Sequence, residues 1–194
     1  MMTFKDFLQE AFKDLGKLSA DELKKGQKLV GDDDDFTQVN GRIFHKSISK
    51  IKANDLARGD KAKGLDSLTI YSVKEYSQMN CYLGKNNSSG YAVKPNGELV
   101  SVFSTQGSSA RSLMTSAIEN GATNLDCFAL RSEQGKISGA LYGLYTKFGF
   151  KIDTSMNVGI PGEAYSIVKG VSSFVDDNGV VHPDDPRVVI FMKR

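Results

Sequence analysis

The sequence predicts an α/β fold, a mixed sheet with helices on both faces, preceded by an N-terminal amphipathic helix. Three observations predict it. From Leu65 onward, β-rich runs alternate with stretches whose apolar residues recur at three- and four-residue steps. Pro95-Asn96-Gly97 separates two β-rich runs, and Asn-Gly in that setting is the strongest short hairpin signal. That hairpin is followed by helix, strand, helix and two strands, an order that lays helices against a sheet.

Each element has its own signature. Phe4, Phe7, Leu8, Ala11, Phe12 and Leu15 line one helical face, with Thr3 as cap and Gly16 as stop. Ser19 and Glu22 open a second, polar helix through Leu29, and Asp32 to Asp35 read as a hydrated linker. Residues 36–64 read as a loosely packed connector, with a strand and part of a helix between Gly41 and Ile51. Ser67 to Val73 then reads as a strand and Lys74 to Leu83 as a short helix. Gly90–Lys94 and Glu98–Ser104 form the hairpin. Ser109 to Asn120 is a helix ended by Gly121, and Leu125 to Leu130 a buried strand. Gly139 to Phe148 is a helix stopped by Gly149. Strands around Ser166–Val175 and Val188–Met192 close the chain, the first followed by a turn at Asp177-Asn178-Gly179. The expected division is 1–35, an N-terminal helical segment, 36–64, a connector, and 65–194, the α/β domain.

Bulk properties exclude several classes. The chain has 194 residues, 40% hydrophobic and 25% charged, enough for an ordinary core. Its formal net charge is +2, and no predicted helix carries an Arg/Lys stripe, which argues against a nucleic-acid partner. No apolar run is long enough to cross a bilayer. Acids among the first apolar residues argue against a secretory signal. Cys81 and Cys127 lie in apolar segments without metal-ligand spacing, which implies reduced core thiols and a reducing compartment. Lone His45, and His182 before Pro183, form no ligand pattern, so no metal is expected.

Two segments carry family resemblances. Leu144-Tyr145-Thr146-Lys147-Phe148-Gly149-Phe150-Lys151, within this element order, resembles the signature helix end of the GNAT superfamily of N-acetyltransferases. The resemblance implies a GNAT-like acyltransferase domain over 65–194, acetyl-CoA as cofactor and an amine-bearing substrate. It makes Tyr145 the catalytic candidate, protonating the departing thiolate or hydrogen-bonding the cofactor. It also assigns cofactor binding to the strand end and following loop: Phe103, Ser104, Gln106, Gly107, Ser108, Ser109, Ala110 and Arg111. Free N–H groups at a helix start suit a pyrophosphate. Only Gly107 remains of the glycines that the family carries in this loop. Glu98, Asp126 and Cys127 are the candidate bases, and none stands out. A catalytically inactive relative that binds and inhibits a host defence factor is the alternative.

Met1-Met2-Thr3-Phe4-Lys5-Asp6-Phe7-Leu8-Gln9-Glu10-Ala11 resembles the capsid-targeting peptide of internal head proteins of large contractile-tailed phages. This resemblance implies cleavage by a prohead protease between Glu10 and Ala11. It also implies residence in the capsid interior of the virion, and later injection into the host cytoplasm.

Overall fold

The computed structural model describes residues 35–57, 68–104, 110–133, 135–155, 170–175, 180–182 and 186–194. The expected N-terminal helices, the Glu10–Ala11 bond and the 177–179 turn lie outside the described residues. The class is α/β, as the sequence implied. The chain forms two compact units, divided between Ala122 and Thr123.

In the first unit, strands β1 (Thr37–Val39), β2 (Asn80–Leu83), β3 (Ser89–Val93) and β4 (Glu98–Ser104) pair in sequence, each antiparallel to the next. Between β3 and β4 the expected hairpin forms. Gly97 takes φ +81°, Gly97 N donates to the Lys94 carbonyl at 2.9 Å, and Lys94 N donates to Glu98 O at 2.9 Å. Helix α1 (Gly41–Leu56) and the one-turn helix α2 (Val73–Tyr76) cover one sheet face. Phe44, Ile48 and Tyr76 pack there against Cys81, Leu83, Ala92, Val100 and Phe103. Helix α3 (Ala110–Glu119) takes the other face, where Tyr82 and Tyr91 stack at 5.0 Å. The Tyr91 hydroxyl shares a 2.6 Å hydrogen bond with Ser116 Oγ and accepts one from Asn120 Nδ2 at 3.1 Å. Alternation along β3 explains this division, since successive side chains leave a strand on opposite faces.

The first half of this unit departs from expectation. Residues 41–56, read as connector, form a helix with Phe44 and Ile48 fully buried. Its Ile and Ser residues are weak helix formers, and burial of one face overrides them. Asn40 caps it by accepting from Ile43 N at 3.0 Å. The helix expected over Lys74–Leu83 stops after one turn, although Ser72 and Glu75 make a full capping box. Its second half is instead β2, because Cys81, Tyr82 and Leu83 pair on both sides with β1 and β3.

In the second unit β5 (Asn124–Arg131) pairs antiparallel with β10 (Arg187–Lys193), and β10 with β8 (Val171–Val175). Short strands β6 (Ile137–Ser138), β7 (Lys151–Ile152) and β9 (Val181–His182) pair with β5, β10 and β8. Helix α4 (Ala140–Lys147) packs on β5. Leu125, Cys127 and Ala129 are buried, as are Val188, Ile190 and Met192 on β10. The strand expected to be wholly buried is therefore buried on one face only: Phe128 is 46% and Leu130 49% exposed.

Candidate functional site

The cofactor candidates surround the step from β4 into α3. Phe103 is buried in the core, its ring 6.0 Å from that of Phe44, so only its backbone remains for a ligand. Ser104 ends β4 half-buried and pairs with Ser89. Gln106, Gly107, Ser108 and Ser109 lie outside the described residues. Ala110 is buried as the first residue of α3, and Arg111 follows, half-buried. The first turn of α3 has no acidic residue, so nothing there opposes an anion at the positive end of the helix dipole.

Between Val100 and Phe103, β4 is irregular. Gly90 pairs with Phe103 but Ala92 with Val100, so β4 carries an extra residue and bulges. Ser101 sits in this bulge at φ +53°, a conformation costly for a residue with a Cβ. It is buried, donates through Oγ to the Thr69 carbonyl at 3.1 Å, and lies 2.8 Å from the Tyr76 hydroxyl. Sequence reasoning missed this feature. No sequence signal marks it: Leu99, Val100, Val102 and Phe103 are all apolar, and only the fold shows Val100 and Phe103 facing the same core three residues apart, which a regular strand forbids.

Tyr145 belongs to the second unit, on the last turn of α4, and is buried. Burial, then the neighbouring Cys127 and Asp126, hold its phenol well above the ordinary tyrosine range. Burial likewise pushes the Cys127 thiol up to about 12. Both groups therefore keep their protons at neutral pH. The spacing of Tyr145, Gly149 and Phe150 has a complete local explanation. Gly149 takes φ +88°, its N–H donates to the Thr146 carbonyl at 3.0 Å, and Phe150 N donates to the Tyr145 carbonyl at 3.1 Å. This is a Schellman helix stop, and the Tyr145 and Phe150 rings, 6.3 Å apart, supply its hydrophobic contact.

Among the candidate bases, Glu98 is engaged with Lys94 at 2.7 Å across the hairpin. Asp126 is exposed on β5, and Cys127 faces the opposite, buried side. Among the described residues no group of three or more His, Cys, Asp or Glu could hold a metal ion, and no helix is long and apolar enough to cross a membrane. Comparison with family models, curated proteins and solved structures returns no match.

Proposed function

We propose that this chain is an acyl-CoA-dependent N-acyltransferase with a GNAT-like fold. The observation that carries the reading is the run of elements from the bulged strand β4 through α3 and β5 into α4. It is the order that the resemblance implies, with an acid-free helix start after β4 and a proton-holding tyrosine at the end of α4. Strand bulges cluster beside active sites, where they re-aim the backbone.

The start of α3 supports acetyl-CoA binding at the cofactor's anionic end. The backbone N–H groups that open α3 and the Arg111 guanidinium would hold the pyrophosphate. When bound, the cofactor supplies the thioester whose acyl group the substrate amine takes. The family resemblance gives Tyr145 the role of hydrogen-bonding the departing sulfur. Because its phenol stays protonated well above a thiol's ordinary pKa of about 8.5, full proton transfer would run uphill.

The N-terminal eleven residues support a phage setting, in which the protein is packaged in the head, cut after Glu10 and delivered to the host cytoplasm. N-terminal sequencing of the protein recovered from virions should then begin at Ala11.

One observation favours the second reading, an inactive relative that binds a host factor. The Tyr145–Gly149–Phe150 geometry is fully accounted for by helix termination and needs no chemistry. A thermal-shift titration with acetyl-CoA separates the two. Acyl transfer requires saturable stabilisation, about 2.7 kcal/mol at a hundred times Kd. No shift at millimolar cofactor leaves the binding protein.

A further inference from the structure

Helix α1 has a face that the core does not explain. Arg42, Lys46 and Lys50 follow one another at four-residue steps, and all three are exposed. At about 1.5 Å rise and about 100° per residue, each lies about 6 Å further along the axis and about 40° round from the last, a sloping row on one side of the helix. Among the described residues none of the three has a carboxylate or hydrogen-bond partner. Surface helices ordinarily intersperse acids at such steps, since like charges four residues apart repel. Arg42 also stands in the first turn, where the helix dipole disfavours a cation and where α1 has no acid. Four basic residues against the single, buried Asp55 make α1 net +3 in a chain whose formal total is +2, so the remainder nets −1. Among the described residues, no neighbour relieves the repulsion between these charges.

We propose that the exposed face of α1 docks on the phosphate backbone of nucleic acid, without reading its sequence. A regular row of unpaired cations suits a regular row of anions. An acidic protein fits less well, because protein interfaces are anchored by buried aromatic and apolar side chains. Beside this row only Ile43 is a large exposed apolar residue, with Leu56 at the far end of the helix. An anionic membrane fits least. Interfacial helices insert their apolar face, and in α1 that face, Phe44 and Ile48, is committed to the core. The proposal does not rest on acyl transfer.

The test is fluorescence anisotropy of a short mixed-sequence DNA duplex titrated with the full chain at several salt concentrations. Three phosphate contacts predict a log–log salt slope of about −2.7, hence a roughly forty-fold loss of affinity between 50 and 200 mM salt. The R42E/K46E/K50E chain should lose binding, and R42A/K46A/K50A should lose it too while keeping its helix content, since Ala is the best helix former. K85E/K136E/K151E makes the same charge change at exposed positions elsewhere and should bind as the parent does. No binding by the parent at 50 mM salt would overturn the proposal, as would equal losses in the two charge-reversed chains. Competition by poly-glutamate as strong as by DNA, or tighter binding to phosphatidylserine vesicles, would overturn it in favour of another anion.

Discussion

The Tyr76 hydroxyl donates to Ser101 Oγ across 2.8 Å, and this direction is dictated by their neighbours. Ser101 spends its one proton on the Thr69 carbonyl, which can only accept, so the shared proton must come from Tyr76. Tyr76 in turn accepts from Tyr71 N at 3.3 Å. A one-way chain of hydrogen bonds thus ties α2 and the segment before it to the bulge of β4, inside an apolar cluster.

Replacing Tyr76 by Phe removes the middle of that chain and strands the Tyr71 N–H. The expected loss is about 1–3 kcal/mol, read as a lower urea midpoint at unchanged m. An unaltered midpoint would mean that the network contributes nothing net.

Ser101 separates backbone strain from hydrogen bonding. Both Ser101→Ala and Ser101→Gly lose the Oγ bonds, but only glycine relaxes at φ +53°. The glycine variant should therefore be the more stable of the two by about 1–2 kcal/mol. The reverse order would show that the bulge is not strained at this residue.

At the end of α4, Gly149→Ala forces a Cβ into φ +88°. A loss of about 1–2 kcal/mol follows from the left-handed conformation alone, because the nearest atom, in the Arg194 side chain, lies 3.5 Å away. Thermal unfolding of the variant measures it.

Alkali should destabilise the fold before ordinary lysine chemistry begins. Burial raises Cys81 to about 11, Cys127 to about 12 and Tyr91 to about 12. The unfolded chain releases these protons first, so the folded state binds more of them and stability falls as pH rises. The stabilisation is complete below about pH 9 and is lost through pH 12, at up to about 1.4 kcal/mol per pH unit for Cys127. Urea midpoints between pH 8 and 11 test this, and Cys127→Ala should flatten the slope.

Tyr145→Phe keeps the ring contact with Phe150 and removes only the hydroxyl, so the fold should survive. In an active preparation, turnover should slow. Unchanged turnover would remove Tyr145 from the chemistry and leave it as the hydrophobic half of a helix stop.

Some elements were legible because their signals are local. Pro95-Asn96-Gly97 specifies a turn, and Gly121 and Gly149 end helices, since only glycine enters the left-handed region without penalty. Helix α1 was legible only in part, as a piece of helix between Gly41 and Ile51. Its residues are indifferent helix formers, and its basic row cannot be seen until the segment is known to be helical. Nor was the alternation of β5, because an apolar run such as Leu125–Leu130 looks the same whether one face or both are covered.

The sequence by itself determined the α/β class, the β3–β4 hairpin and the helices α3 and α4. Turn chemistry and periodicity are encoded within a few residues. Tertiary structure alone decided that residues 41–56 join the core, that 80–83 pair as a strand, and that Ser101 is held at positive φ. Each of those depends on partners distant in sequence, such as Tyr76 for Ser101, 25 residues away. Burial and pairing with such partners outweigh the few tenths of a kcal/mol that local propensity contributes.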